Sequence, residues 1–273
     1  MEETGYLSIV SRRINHPRCL NLRGNVYRGE ITRGKETLPL VVKYVPWNEN
    51  GLLEASFLKR YGSGDLRIGP KFYGFNNIGR DLELIMEAAE EQVEATDKPF
   101  SDIHQILCEI GNAIQRIEEE GNTHCDIKPS NILKVENKIV IVDYGNMLSQ
   151  AMYHRILRRR IIHGTHGYIP PEQYVRTPGY VPLRHDSFSF GMVMFYLGTQ
   201  ILPNVVLSGF ARKGRIDLTR VVGEGHYHIE FTRMLHEQRR LPRKFKRLVC
   251  DAINYNPFER PSITEINERL QSL

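Results

Sequence analysis

The sequence of 273 residues contains no uninterrupted apolar run of about 18 residues, the length that a membrane-spanning helix needs. The stretch 1–16 also lacks the apolar core of a signal peptide. We therefore expect no transmembrane segment and no secretory leader.

Cysteine is scarce as well. The four cysteines, Cys19, Cys108, Cys125 and Cys250, have neither the spacing of a metal-ligand set nor that of a disulfide framework. This argues against a disulfide-rich secreted domain and favours a reducing compartment, the cytoplasm or the nucleus. Internal repeats and low-complexity linkers are missing too, and with 41% hydrophobic and 25% charged residues the composition is that of a globular protein.

Basic residues exceed acidic ones only modestly, with a net charge of +5. They concentrate in two runs, residues 154–160 and residues 239–247. Each run is either a solvated face or a surface that attracts an acidic or phosphorylated partner. Nucleic acid is not an expected partner, because the first run has only Tyr153 beside it as a stacking aromatic.

The hydrophobic pattern changes along the chain. Strands are predicted at 38–45 and 82–86, with a short helix over 52–58 that breaks at 61–64. A longer helix capped by Ser101 should end at Gly121, and a hairpin with Glu136-Asn137 as its turn should follow. From about Ser187 the chain reads mainly helical. The predicted class is α+β, a β-rich part followed by a helical part, with the break near Glu87.

Two segments carry residues suited to phosphoryl transfer: His-Cys-Asp-Ile-Lys-Pro-Ser-Asn-Ile-Leu at 124–133 and Val-Asp-Tyr-Gly at 142–145. This chemistry needs an oriented acceptor, a base near its hydroxyl and cations on the phosphates. Asp126 can accept a hydrogen bond from the acceptor and Lys128 can neutralise the transferred group. Asn131 and Asp143 present hard oxygens that suit Mg²⁺.

These segments resemble the catalytic loop and the metal-binding motif of the eukaryotic-type protein kinase family. Residues 164–172, 186–191 and 256–262 resemble three further motifs of that family. The resemblance implies a single two-lobed domain with an N-lobe at 1–86, a hinge at 87–90 and a C-lobe at 91–273. It also implies ATP and Mg²⁺ as cofactors, and a buried ion pair between Arg260 and Glu172.

In the first lobe the resemblance gives Lys43 the role of anchoring the ATP phosphates. Its expected partner is Glu54, with Glu49 as the alternative. Met86 resembles the gatekeeper position, and the backbone from Glu87 to Ala89 is expected to meet adenine. The other positions expected to contact the nucleotide are Gly24, Val26, Val41 and Leu133.

The chain departs from the family at several positions, among them Pro170, where the family has alanine. Cys19 and Asn21 stand where the phosphate-binding loop has glycines, which keeps open a second hypothesis, a pseudokinase or binding scaffold. Cys125 replaces the arginine before the catalytic aspartate, so activity is not expected to need a phosphate on the activation segment. A small-molecule kinase would lack the motifs at 164–172 and 186–191.

Lys128 and Thr165 resemble the serine/threonine branch, so the expected substrate is a serine or threonine of a protein. Arg155 and Arg158 to Arg160 lie in the segment that borders the substrate groove in the family. They indicate either an acidic or already phosphorylated substrate or a mobile solvated loop. The sequence does not establish the oligomeric state, and a monomer is the default expectation. Its compact length resembles kinases of viruses or bacterial effectors, which would place it in a host cell.

Overall fold

The structure is a computed structural model that describes residues 15–20, 24–33, 36–64, 67–149, 164–175, 184–207 and 226–273. The chain forms two compact units. The first comprises the chain up to Glu91 together with Leu133–Gly145, and the second comprises Gln92–Ile132 and Asn146–Leu273. The first unit is rich in β-strands and the second is mainly helical, as the sequence predicted. The short segment 133–145 belongs to the first unit, although it follows the expected hinge by more than 40 residues in sequence.

The first unit is built on an antiparallel sheet in the order β1-β2-β3-β5-β4. The predicted strands at 38–45 and 82–86 lie inside β3 and β5. Leu40, Val42 and Leu84 of these strands are almost completely buried, which is why a β-rich apolar run marked them in the sequence. The strands are β1 Asn15–Cys19, β2 Val26–Arg33, β3 Glu36–Pro46, β4 Phe72–Ile78 and β5 Asp81–Glu87.

Helix α1, Glu49–Tyr61, follows β3 directly. Asn48 begins it by accepting a hydrogen bond from the backbone N–H of Gly51 at 3.1 Å. A side chain at Gly51 would be impossible without a shift, because its Cβ would lie 2.3 Å from the carbonyl oxygen of Pro46. The helix ends at Gly62, within the predicted break.

A hairpin of β8, Ile132–Val135, and β9, Lys138–Ile141, follows the prediction closely. Glu136 and Asn137 both adopt left-handed backbone conformations, with φ of 47° and 64°, as a two-residue turn of this hand requires. The backbone N–H of Ile141 donates to Ile68 at 2.8 Å, which attaches the hairpin to the first unit.

The second unit is organised around α4, whose side chains are nearly all buried. Ser101 does not cap helix α2, Phe100–Glu119, as expected. The helix begins two residues earlier with Pro99 as its cap, and the Ser101 hydroxyl donates to Asp102 instead. The helices of the second unit are α2 Phe100–Glu119, α3 Pro171–Val175, α4 His185–Thr199, α5 His226–Glu237, α6 Arg243–Ala252 and α7 Ile263–Gln271. The short strands are β6 Glu91–Gln92, at the boundary between the units in sequence, β7 Asn122–Thr123 and β10 Leu148–Ser149.

The predicted ion pair between Arg260 and Glu172 is present and buried. Arg260 donates from both terminal nitrogens to the two carboxylate oxygens, at 2.6 and 2.5 Å. It also donates to the backbone carbonyls of Asn254 and Tyr255. The bidentate geometry locks α3 onto the segment that precedes α7. Within the described ranges, every helix is too short or too polar to span a bilayer.

Candidate active site

A lysine and two carboxylates meet in the first unit. The Lys43 ammonium, on β3, lies 2.6 Å from Oε1 of Glu54 on α1 and 2.5 Å from Oδ1 of Asp143. Lys43 and Asp143, which are 100 positions apart in sequence, are thus in direct contact. The Lys43 and Glu54 side chains are 15% and 5% exposed, whereas that of Asp143 is 42% exposed. Asp143 therefore presents the accessible carboxylate of this group.

The charge balance of this group shifts two pKa values. Burial by itself would lower the pKa of Lys43, but the negative charges of Glu54 and Asp143 outweigh it and raise that pKa. Burial raises the pKa of Glu54, and the charge of Asp143 adds to this, while Lys43 opposes it. The lysine is therefore firmly cationic at neutral pH, as a phosphate anchor must be.

The alternative partner of Lys43, Glu49, is the first residue of α1 and is exposed. It lies more than one helical turn before Glu54, and the structure gives the lysine contact to Glu54. The sequence alone did not show which residues of α1 face Lys43, because only the apolar positions of the helix could be recognised. The cap at Asn48 and the close approach of Gly51 to Pro46 fix this orientation.

Tyr144, beside Asp143, is fully buried and tied to the same unit. Its hydroxyl donates to the carbonyl of Ile141 at 2.8 Å, and its ring centroid lies 5.4 Å from that of Tyr61 on α1. A Cβ at Gly69 would come within 2.6 Å of the Tyr144 hydroxyl. The loop that carries Asp143 is therefore connected to α1 in two ways. Lys43 bridges Asp143 and Glu54, and the Tyr144 ring contacts Tyr61. The sequence did not reveal the Tyr61 contact, which joins residues far apart in the chain.

The positions predicted to contact ATP all lie in the first unit. In the strand register Val26 is opposite Lys43, and Val41 is opposite Met86. Gly24 has a φ of 68°, the left-handed region that favours glycine, and its carbonyl accepts from the Tyr27 hydroxyl at 2.6 Å. Their roles in nucleotide binding stay predictions.

In the predicted hinge, some backbone N–H groups already donate hydrogen bonds within the protein. The N–H of Glu87 donates to Lys71, and that of Glu90 donates to Lys134. Among the described residues, the backbone N–H of Ala89 has no hydrogen-bond partner. An adenine edge needs a donor of this kind. Leu133, at the start of β8, is half-buried.

Several positions singled out in the sequence lie outside the described residues. Asn21 is one, and the side chain of Cys19 is another. The same is true of the arginines at 155 and 158–160. The hypotheses built on them stay predictions.

In the second unit, Asp126, Lys128 and Thr165 form a closed set of short contacts. The Lys128 ammonium donates to Oδ2 of Asp126 at 2.8 Å and to the Thr165 hydroxyl at 2.7 Å. The Thr165 hydroxyl donates to Oδ1 of Asp126 at 2.7 Å. An alkyl hydroxyl, a carboxylate and an ammonium thus meet here, the groups that hydroxyl activation uses.

Asn131 is buried behind Asp126. Its amide nitrogen donates to the backbone carbonyl of Asp126 at 2.9 Å and lies 3.3 Å from the carboxylate. Because the nitrogen is engaged, Oδ1 remains as a neutral oxygen ligand. Together with the carboxylate of Asp143, this donor type fits Mg²⁺. Asn131 belongs to the second unit and Asp143 to the first, and their joint role as metal ligands stays a prediction.

The backbone of the loop before Asp126 is held by Asp186, the second residue of α4. The N–H groups of His124 and Cys125 donate to its two carboxylate oxygens at 2.6 and 3.0 Å. Cys125 is fully buried and has a φ of 63°, a conformation that costs a non-glycine residue about 1–2 kcal/mol. The two hydrogen bonds to a buried carboxylate offset this cost.

Gly164 completes the loop from the other side. Its φ is 108°, and a Cβ there would lie 2.6 Å from the carbonyl of Cys125. The sequence marked Gly164 only as part of a motif. The structure gives it a steric reason, because only a glycine lets the segment with Thr165 come this close to the catalytic loop.

A carboxyl that the sequence did not mark lies near Asp186. Burial and the charge of Asp186 raise the pKa of Glu118 to about 7, although Arg184 and the N–H of Ile263 oppose this. Nothing in the local pattern of α2 distinguishes Glu118 from its exposed neighbours. Its environment comes from residues on α4 and α7.

Comparisons with known proteins agree with the geometry. The family model described as "Protein kinase domain" matches residues 67–270. The rust resistance kinase Lr10 of Triticum aestivum is 28% identical over 287 residues, which cover 92% of this chain and 42% of that protein. The serine/threonine-protein kinase HAL5 of Saccharomyces cerevisiae is 22% identical over 269 residues, with 94% and 31% covered.

A viral protein is similar over a larger share of its own length. The B1 kinase of vaccinia virus is 25% identical over 229 residues, which cover 81% of this chain and 72% of that protein. The chain spans less than half the length of the plant and yeast relatives that it matches.

Proposed function

The chain belongs to the protein kinase family, and from that premise we propose that it transfers the γ-phosphate of ATP to serine and threonine hydroxyls of proteins. The observation that carries this proposal is the contact set of Asp126, Lys128 and Thr165. In it, a carboxylate already accepts a hydrogen bond from an alkyl hydroxyl beside a cation. A serine or threonine acceptor offers the same chemical group.

The proposed reaction divides the work between residues of the two units. Lys43, held by Glu54, neutralises the α- and β-phosphates of ATP. Asp126 takes up the proton of the acceptor hydroxyl as its oxygen bonds to the γ-phosphorus, while the bond from that phosphorus to the bridging oxygen breaks and ADP leaves with the electron pair. Lys128 stabilises the negative charge of the transferred group.

Asn131 and Asp143 would hold Mg²⁺, which supplies charge neutralisation at the phosphates when bound. Adenine would contact the backbone from Glu87 to Ala89, with Met86, Val26, Val41 and Leu133 around it and Gly24 near the phosphates. The substrate is a protein, and we further propose an acidic or already phosphorylated one. A reducing compartment, the cytoplasm or the nucleus, suits the free thiols of Cys108, Cys125 and Cys250.

Transfer of radiolabelled phosphate from ATP tests the proposal. We expect the wild type to label serine- and threonine-containing peptides, and Asp126→Ala to lose activity by about 10³-fold or more, the usual scale for a base with its positioning role. Circular dichroism and urea unfolding of the variant ensure that the loss is not one of fold. Phosphoamino-acid analysis identifies the acceptor, and chelation of Mg²⁺ should abolish labelling.

The outcomes separate the alternatives. Labelling of tyrosine alone would refute the serine/threonine assignment. A wild type no more active than Asp126→Ala, together with no rise in unfolding temperature on addition of Mg–ATP, would favour the pseudokinase hypothesis. Thr165→Val should leave the fold intact and weaken labelling, since it removes the hydroxyl from the contact set.

A further inference from the structure

Five cations are exposed on one surface of the second unit, at the turn before α6 and on its first two turns. We name it the α6 basic surface. It does not overlap with the residues to which the proposed function assigns a role. Its members are Arg239, Arg240, Arg243, Lys244 and Arg247.

The helical geometry of α6 places its cations together. Positions 243 and 247 are one turn apart on a helix, and 244 lies beside them. Lys246, the remaining cation of this run, turns inward and donates to the carbonyl of His236 at 3.2 Å. The outward cations are thus confined to one face, while Phe245, Leu248 and Val249 form the buried one.

Packing fixes this face outward. The Phe245 ring centroid lies 5.0 Å from that of Phe100. A Cβ at Gly191 of α4 would lie 2.9 Å from Cβ of Ala252, and one at Gly198 would lie 3.1 Å from Phe245. The two glycines thus let α4 and α6 approach closely along the buried face of α6. The exposed cations lie on the opposite face.

Nearby acidic residues do not neutralise the surface. Asp97 pairs with Arg240 at 2.8 Å, and Asp251 pairs with Arg269 at 2.7 Å. Glu237 pairs with Arg233 on α5. In the part of the chain that the structure describes, no carboxylate pairs with any of the four other members, which are Arg239, Arg243, Lys244 and Arg247.

The arrangement is unfavourable for an isolated helix. The first turn of α6 has no acidic residue, and Pro242 provides no side-chain cap. Cations at this end oppose the helix dipole and repel each other. A partner with several negative charges would relieve both effects. Since most of the members are arginines, their planar forks suit carboxylates, which they can bind through two parallel hydrogen bonds.

The apolar residues of the run distinguish between kinds of partner. A single-stranded nucleic acid needs exposed aromatics for stacking, and Phe245 is fully buried. A membrane-surface helix needs an exposed apolar face, and Leu241, Leu248 and Val249 are buried as well. What remains at the surface of this run is charge.

We propose that the α6 basic surface binds a segment of the protein substrate that is rich in aspartate and glutamate. This inference rests on the proposed function for the identity of the bound protein as a substrate. The segment would lie outside the phosphorylated site itself. Binding at α6 raises the local concentration of the acceptor at the catalytic loop, which belongs to the same unit.

Binding is tested first, without any turnover. A fluorescent octapeptide of glutamate and aspartate is titrated against two proteins. The reference carries Asp126→Ala alone, and the test variant carries Asp126→Ala together with Arg243→Gln, Lys244→Gln and Arg247→Gln. We expect affinity to fall about tenfold, the product of three exposed ion pairs that contribute roughly twofold each. The matched control carries Lys59→Gln, Arg80→Gln and Lys138→Gln, which remove the same charge from exposed positions of the first unit. It should bind as before.

Kinetics then test the link to the substrate. A serine peptide joined by a flexible linker to an acidic tail is compared with the same peptide whose tail has glutamine and asparagine instead. In the wild type the acidic tail should lower KM by about tenfold and leave kcat unchanged. The triple substitution at α6 should remove this advantage and leave the neutral peptide unaffected. Added salt should shrink the advantage, because the contacts are exposed.

The possible results test the binding surface and the proposed function separately. Equal binding of the acidic peptide by the test and control variants would overturn the inference. So would tighter binding of single-stranded DNA or of phosphatidylserine vesicles at the same residues. Failure of phosphate transfer to both peptides would count against the proposed function, whereas the binding titration would still judge the surface.

Discussion

The two units hold their central carboxylates in different ways. In the first, Asp143 is held by the ammonium of Lys43, which also contacts Glu54 on a separate helix. In the second, the loop of Asp126 is held through backbone N–H groups that donate to the buried Asp186. The ion pair of Asp143, whose side chain is 42% exposed, opens when that side chain rotates into water. A buried backbone donor has no water to replace its partner. The first arrangement is adjustable and the second is fixed.

The largest effect is expected where the fixed arrangement is broken. Asp186→Ala leaves the N–H groups of His124 and Cys125 without partners in a fully buried place. We expect a loss of unfolding free energy of about 3–5 kcal/mol, the scale found for removing one side of a buried charged network. Urea unfolding followed by circular dichroism measures it.

Asp186→Asn is the matched variant, since its amide oxygen can still accept one of the two hydrogen bonds. Its loss should fall between those of the wild type and the alanine variant. A change of less than about 1 kcal/mol for Asp186→Ala would mean that this loop is not held as described.

A substitution in the group of Lys43, Glu54 and Asp143 should change the activity more than the stability. Glu54→Gln keeps the shape of the side chain and removes its charge, and Lys43 keeps Asp143 as a partner. Because a buried carboxylate is costly to hold, the unfolding free energy should change by less than about 1 kcal/mol. The kcat/KM for a serine peptide should fall by about 10–100-fold, as Lys43 moves toward Asp143.

Glu49→Gln is the control for this variant, because Glu49 stands on the same helix and is exposed. It should retain the activity of the wild type. Equal losses for both variants would show that the effect comes from the charge of the helix and not from the contact with Lys43.

The third effect depends on pH and concerns Glu118, near Asp186. Its pKa of about 7 in the folded chain lies above the ordinary value of 4.5. The folded state therefore binds more protons than the unfolded state between these two values, and stability falls as the pH rises through this window. Glu118→Gln removes the cost while keeping an oxygen for the N–H of Ile263. Near pH 8 the variant should be more stable by about 1–3 kcal/mol, and near pH 4 the difference should vanish.

The exposed neighbour Glu119 provides a matched substitution, since Glu119→Gln removes a carboxylate from the same helix without touching a buried group. A difference for Glu118→Gln that is flat with pH would contradict the raised pKa.

Local patterns were enough to predict much of the fold. The turn at Glu136 and Asn137 was visible because its two residues tolerate left-handed backbone, and the break after α1 was visible in its glycines. The start of α2 was misplaced because Ser101 is a good cap in isolation, whereas the chain uses Pro99. A preference of about 1 kcal/mol for a cap is easily overridden by packing.

The candidate site was predictable where its residues are close in sequence, as Asp126, Lys128 and Asn131 are. Contacts between distant segments could not be derived in this way. The choice between Glu49 and Glu54 depended on which side of α1 faces β3, and the close approach of Gly51 to β3 determines this side. The raised pKa of Glu118 depends on its burial and on the charge of Asp186 on another helix, which no local window of sequence contains.

The hydroxyl of Tyr144 has a consequence for how related chains can vary. Its oxygen occupies the space that a side chain at position 69 would need, and it satisfies the carbonyl of Ile141. A relative with phenylalanine at position 144 would lose the closest contact to a side chain at 69, which leaves the Tyr61 backbone at 3.3 Å as the next one. Positions 69 and 144 should therefore change together rather than one at a time, a covariation set by a single oxygen atom.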